Sequence, residues 1–279
     1  MKRFPQKRVI ITGAGSGFGR ALALVFAAKG WRVGVSDINA ERADETVGMV
    51  NNAGGSGDKY VCDVTDPEKM DAMAAYYLEK WGGVDIMVNN AGVASAGSVD
   101  ETPLDVWRWM IDVDLMSVIY GCRTFIPIMA RQGFGHLMNM ASSAGIASFP
   151  EMGCYNVPKA GVISLSETLR MELAPKNIGV TVIAPTFFKT NLMDQFKSPQ
   201  ARQANMASSF FEKSKVTAED VARHAYHCAE KKKFYAICQS DGKAVWFMKR
   251  LFPETYLRLS ALIYKKGWFD QYLSAGNKK

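Results

Sequence analysis

Short apolar, β-branched runs alternate along this chain with longer stretches in which apolar residues recur every three or four positions. The runs at 8–12, 32–36, 59–62, 85–88, 135–141, 180–184 and 234–238 read as strands. The intervening stretches at 20–29, 40–52, 66–81, 102–131, 155–173 and 217–231 carry the helical period. Asp66 with Pro67 suits an N-cap and first turn, and so does Thr217 followed by Glu219 and Asp220. Strands that alternate with helices predict one α/β domain, a doubly wound parallel sheet with helices on both faces. The ligand crevice of such a sheet lies at the carboxyl ends of its strands. Asp37, Asp63, the N-N-A-G of 89–92 and Ser142 all fall at strand ends, so polar residues collect on that edge.

The first strand runs into T-G-A-G-S-G-F-G at 12–19 and then into a helix. Strand, glycine turn and helix N-terminus form a site for a pyrophosphate: the backbone approaches closely and the helix dipole favours negative charge. Gly13, Ser16, Gly17, Phe18 and Gly19 are its candidate residues. Asp37 ends the second strand eighteen residues past Gly19. A carboxylate there accepts both ribose hydroxyls of an adenosine and repels a 2′-phosphate. Ile38 follows it rather than an arginine, and Ser16 is not basic, so the pattern favours NAD over NADP. The plainer alternatives are packing glycines in a βα turn and Asp37 as the N-cap of the helix from Ala40.

Tyr155 and Lys159 are four apart, so a helix puts them on one face. A cation near a phenol favours the phenolate and brings proton transfer within working pH. Ser142, thirteen residues before Tyr155, follows the fifth strand and can hold a substrate oxygen. By itself this pair reads more readily as an amphipathic helix with a snorkelling lysine.

Taken in order, the glycine turn, Asp37, Asp63-Val64, Asn90-Ala91-Gly92, Ser142, Tyr155 and Lys159 resemble a short-chain dehydrogenase/reductase across residues 8–240, with a C-terminal extension from 241 to 279. The resemblance implies a Rossmann-type NAD-binding core. In it Tyr155 is the general acid/base, Lys159 lowers its pKa and holds the nicotinamide ribose, and Ser142 orients the substrate oxygen. It also places Pro185, Phe188 and Thr190 in the nicotinamide pocket. The helix of 102–131 and the one after Tyr155 would make the contact of a homodimer or homotetramer.

Three positions depart from that pattern. Asp114 stands where the family usually has an asparagine in a proton relay, which puts an anion close to Lys159. Pro158 precedes Lys159 and is tolerable only if the helix begins close to Tyr155. Pro185-Thr186 with Phe187 and Phe188 replaces the usual Pro-Gly, so the pocket is expected to be more aromatic. Residues 186–215 are then expected to be a long loop serving as a substrate lid. His224 and His227 read as surface histidines, and no metal site is expected.

The composition is that of a globule, 48% hydrophobic and 22% charged over 279 residues. Five scattered cysteines without a C-x-x-C give neither a disulfide framework nor a zinc site, and make the cytoplasm the default. No signal peptide or run of ~20 apolar residues stands out. Of the net charge of +7, residues 243–279 hold +6, together with eight aromatic residues. The near-neutral core argues against nucleic acid. The tail is expected to pack on the domain and help bury an apolar substrate, with contact to an anionic membrane as a second role. The leading function is an NAD-dependent oxidoreductase interconverting a lipophilic secondary alcohol and its carbonyl compound. Its alternatives are a reductase of long-chain aldehydes or acyl thioesters, and an idle dinucleotide-binding sensor or scaffold suggested only by Asp114 and Pro158.

Overall fold

The computed structural model describes residue 1 and residues 3–267. Seven parallel strands form one sheet in the order β3-β2-β1-β4-β5-β6-β7. They are β1 (Arg8–Thr12), β2 (Arg32–Asp37), β3 (Ser56–Val61), β4 (Ile86–Asn89), β5 (Gly135–Met140), β6 (Ile178–Ile183) and β7 (Tyr235–Ala236). β1 and β4 are buried along their whole length, as strands covered on both faces must be. Ile10 lies opposite both Gly34 and Met87, and strand order reverses between β1 and β4. A switch point of this kind opens a crevice at the carboxyl ends of the strands, where ligands of such sheets bind.

One face of the sheet carries α1 (Gly17–Ala27), α2 (Ala40–Asn52) and α9 (Ala218–Glu230), packed around Phe26, Trp31 and Tyr226. The other carries α3 (Pro67–Trp81), α4 (Leu104–Ile111) running on into α5 (Ser117–Gln132), and α7 (Gly153–Glu172), around Tyr77, Phe125 and Val162. Asp66 accepts from the N–H groups of Glu68 and Lys69. Thr217 and Asp220 form a reciprocal capping box on α9. At the edge of the sheet remote from the crevice, Arg8 and Asp85 are buried together, with Nη2 to Oδ1 at 2.7 Å.

Several elements differ from the sequence expectation. β3 begins at Ser56, because Ser56 N–H donates to Trp31 O (3.1 Å) through a stretch whose glycines read as loop. β7 is only two residues long, paired to Val182 and Ile183 before the chain turns away. The helix of 102–131 starts after Pro103 and is interrupted by a π-turn, Asp112–Met116. This helix, spanning 29 residues, is long and apolar enough by length and composition to cross a membrane, contrary to the absence of any such run expected from sequence. Here Met110, Val118, Phe125 and Met129 are buried in the domain. Residues 186–215 are not a bare loop, since they hold a 3₁₀ turn (Asn191–Gln195) and α8 (Ala201–Lys213). Gln203, Met206 and Ala207, at i, i+3 and i+4, give α8 a buried face. The N-cap of α2 is Asn39, not Asp37. His227 is exposed but His224 is half-buried, 3.5 Å from Cys228 Sγ.

The extension forms α10 (Ser240–Leu251) and α11 (Pro253–Lys265). They lean on the short α6 (Ala144–Ala147) and the turn after it. Lys249 Nζ donates to Ser148 Oγ (2.8 Å) and Tyr256 OH to Ala147 O (2.9 Å). Trp268, Phe269 and Tyr272 of the tail lie outside the described residues.

Candidate active site

A cavity of about 1050 Å³ opens at the carboxyl ends of the central strands. Its first half is the glycine turn. Gly13 and Gly17 have φ of +63° and +52°, which suits glycine and brings the backbone to the crevice at the start of α1. A Cβ on Gly15 would sit 2.7 Å from the Asp37 carboxylate, so the turn and that acid are packed as one unit. Gly15 N–H donates to Asp37 Oδ2 (2.7 Å) and Asn39 N–H to Oδ1 (3.0 Å). The carboxylate is thereby aimed, and each oxygen keeps a lone pair for another donor. Thr12 Oγ1 accepts from the N–H groups of Asn90 (3.0 Å) and Ala91 (3.1 Å), tying the N-N-A-G turn to β1. Asp63 closes its own turn by accepting from Thr65 and leaves Val64 on the wall beside it.

Gly13, Ser16, Gly17, Phe18 and Gly19 all line this cavity, as do Asp37, Asp63, Val64, Asn90, Ala91 and Gly92. Pro185, Phe188, Thr190, Ser142, Tyr155 and Lys159 line it too. Asp114 is the one sequence-predicted site residue that does not. These residues fit a dinucleotide: a glycine cradle without side chains faces a helix N-terminus, with a preset carboxylate at the far end.

The catalytic candidates meet where α7 begins. Tyr155 is its third residue, and Pro158 removes the N–H that would bond the Cys154 carbonyl. The Tyr155 hydroxyl faces the Ser142 side chain. Ser142 Oγ accepts from Ala144 N–H (3.1 Å), which leaves its own proton to donate. Burial pushes the Tyr155 phenol well above its ordinary value, the Asp114 carboxylate adds to this, and the Ser142 side chain opposes it. Lys159 Nζ lies 5.6 Å from the centre of the Tyr155 ring and 3.4 Å from Asp114 Oδ1. The π-turn carries Asp114 inward, where Oδ1 also accepts from Val93 N–H (2.9 Å). Burial raises the Asp114 carboxyl above its usual range, against the pull of Lys159 and the Val93 bond.

The second half of the cavity is aromatic. Phe187 and Phe188 face different halves of the cavity. Phe188 packs edge-on against Phe18 of the cofactor half. Phe187 stacks on Phe210 of α8 at 4.9 Å and meets Phe149 and Phe211. Gln239, just after β7, holds the start of this segment by accepting from Thr186 N–H (3.1 Å).

Residues that sequence reasoning missed organise the rim. Glu151, with φ of +56° and a side chain only 8% exposed, accepts from Arg202 of α8 (2.5 Å), Gln203 of α8 (3.1 Å) and Tyr264 of α11 (2.8 Å). Burial would raise its carboxyl, but these donors hold it below its usual range. Gly97 N–H donates to the Glu151 carbonyl (2.6 Å), which fixes the turn itself. The C-terminal extension therefore reaches α8 through Glu151. Across the cofactor half, Arg42 of α2 approaches Asp194 at 3.4 Å. No short motif could have shown these pairings; the one local signal is an acid directly after Phe149-Pro150.

The short chain dehydrogenase family profile matches residues 7–201. A 3beta-hydroxysteroid dehydrogenase of Mediterraneibacter gnavus is 34% identical over 75% of this chain and 76% of its own. A cyclohexanol dehydrogenase of Acinetobacter sp. is 33% identical over 71% of this chain and 79% of its own. The crystal structure of a short chain dehydrogenase/reductase from Burkholderia phymatum in complex with NAD superposes with a TM-score of 0.85 at 32% identity, covering 90% of this chain and 95% of that one.

Proposed function

The chain belongs to the short-chain dehydrogenase family, is an NAD-dependent oxidoreductase acting on CH–OH groups, and, we propose, interconverts a lipophilic secondary alcohol and its ketone. The observation that carries this reading is the aromatic wall of Phe149, Phe187, Phe210 and Phe211 in the same cavity as the Tyr155–Ser142 pair.

NAD when bound supplies the acceptor of a hydride, and NADH the donor. In this reading the glycine turn and the first turn of α1 hold the pyrophosphate, Asp37 the adenosine ribose and Lys159 the nicotinamide ribose. Ser142 donates its remaining proton to the substrate oxygen and fixes it beside Tyr155. During oxidation Tyr155 takes the proton of the alcohol oxygen, and during reduction it returns one to the carbonyl oxygen. Lys159 is the cation that favours the phenolate, and Asp114 sets how much of that charge reaches Tyr155. The lid helix α8 and the aromatic segment before it exclude water from the reacting groups and supply contact area for an apolar substrate. We assign assembly into a homodimer or homotetramer to the outer faces of α5 and α7.

A panel of secondary alcohols, aldehydes and acyl thioesters graded by chain length, read by NADH absorbance, tests the substrate. Turnover per KM should rise with the apolar bulk of secondary alcohols. A preference for short polar alcohols, or turnover only of thioesters, would overturn the assignment.

A further inference from the structure

The last two helices of the described chain are under-packed for their composition. Among the described residues, nine of the seventeen exposed large hydrophobic side chains fall within residues 247–264. Phe247 and Leu251 are 58% exposed, Phe252 55% and Leu262 53%. No residue of α11 is buried, and along it only Tyr256 and Ser260, one turn apart, are half-covered. On the helix, Leu259, Leu262 and Ile263 fall to one side of that stripe and Leu257 and Tyr264 to the other. A helix so apolar normally buries a broad face. On α10, Phe247, Met248 and Leu251 share one exposed side at i, i+1 and i+4.

Charge selects what covers these side chains. Residues 240–267 hold six Lys or Arg against Asp241 and Glu254. Arg258, Lys265 and Lys266 are exposed on or directly after α11, interleaved with the apolar residues. A second copy of the chain seated on this surface through a two-fold axis would bring cations against cations. An anionic bilayer meets both features, since apolar side chains enter the headgroup–acyl boundary while lysine and arginine neutralise lipid charge. The inner sides of the same helices belong to the cavity wall, through Val245 and Tyr264.

We propose that α10 and α11 dock this protein on the surface of an anionic lipid bilayer, beside the mouth of the substrate cavity. In part this rests on the reading of a lipophilic substrate, which would then enter from the acyl region. Docking itself is measurable without any substrate, so the two readings can fail separately.

The test is flotation of the full chain with vesicles of phosphatidylcholine alone and of phosphatidylcholine with phosphatidylserine. Binding should appear with phosphatidylserine and weaken as salt rises. The combined variant Phe247→Ser, Leu251→Ser, Leu262→Ser should lose at least tenfold in binding. The variant Arg258→Gln, Lys265→Gln, Lys266→Gln should lose the phosphatidylserine dependence. All six positions are exposed, so both variants should keep the wild-type melting temperature and NAD affinity. Failure of the wild type to float with anionic vesicles at low salt would overturn the proposal. So would a serine variant that binds like the wild type. Sedimentation velocity covers the remaining occupant: a wild type that ignores vesicles, and whose oligomer dissociates in the serine variant, would show the face to be an interface between copies.

Discussion

Lys159 Nζ lies 3.4 Å from Asp114 Oδ1, with the lysine side chain 3% exposed and the aspartate fully buried. The second carboxylate oxygen, Oδ2, is buried without a hydrogen-bonding partner in the protein. An anion so placed draws the ammonium towards itself and away from the phenol, and it raises the Tyr155 pKa directly. Asparagine would keep the acceptor for Val93 N–H and remove the charge. Asp114→Asn should therefore retain or increase turnover and move the Tyr155 limb of the pH–rate profile to lower pH. The sign follows because a group that raises a pKa lowers it on leaving. Profiles of kcat/KM for alcohol oxidation in both proteins check this; a loss of activity beyond tenfold would give the carboxylate an essential role of its own.

Tyr155→Phe removes only the hydroxyl that meets Ser142. Proton transfer by such a group contributes about 10²–10⁴-fold in rate. The variant should lose kcat on that scale while its NAD affinity, measured by titration calorimetry, stays within a factor of about two.

Asp37 tests cofactor choice. Its carboxylate is aimed by Gly15 and Asn39, and a Cβ on Gly15 would meet Arg42 Cβ at 2.9 Å. Asp37→Ala removes the anion that repels a 2′-phosphate and leaves Arg42 on the cavity wall. Its NADP affinity should rise and its NAD affinity fall, and a variant with the wild-type preference would remove Asp37 from the ribose site.

Glu151→Gln keeps the shape of the rim and weakens three donors' hold at once. Bonds to a charged acceptor contribute about 1.5–3 kcal/mol net, so KM for long-chain substrates should rise about tenfold. The kcat and the KM for short substrates should change little. Equal effects on all chain lengths would make Glu151 a matter of stability alone.

Stability has a separate handle at the opposite edge of the sheet. Asp85 accepts from Arg8 Nε, Nη2 and backbone N–H in a buried pair. Asp85→Ala leaves a buried guanidinium uncompensated, which costs about 3–5 kcal/mol. The melting temperature should fall clearly while kcat and KM of the folded fraction remain those of the wild type.

What was legible in the sequence was local. The glycine turn, Asp37 and the Tyr155–Lys159 spacing each depend on a strand end, a tight turn or one helical turn, and such geometry survives in a short string of residues. The π-turn was hidden because Asp112–Met116 keeps an ordinary helical pattern of side chains and differs only in its backbone bonding. α8 was hidden because the aromatic residues around 187 and 210 look like loop anchors until Gln203, Met206 and Ala207 are seen to share a buried face. Glu151 and Arg42 were invisible for another reason. Their partners lie from 51 to 152 residues away, and an exposed acid or base in a sequence carries no mark of what it will face.

The position of Glu151 restricts how this enzyme can be altered. Lid helix and C-terminal extension are separated by α9 and β7, and could pass for independent modules, yet both close on one carboxylate in the turn before α7. Exchanging the lid for that of a relative would leave Tyr264 facing an acid with its other donors gone. Trimming the extension would loosen α8 in the same act. Recombination within this architecture should succeed only when lid, turn and tail travel as a set.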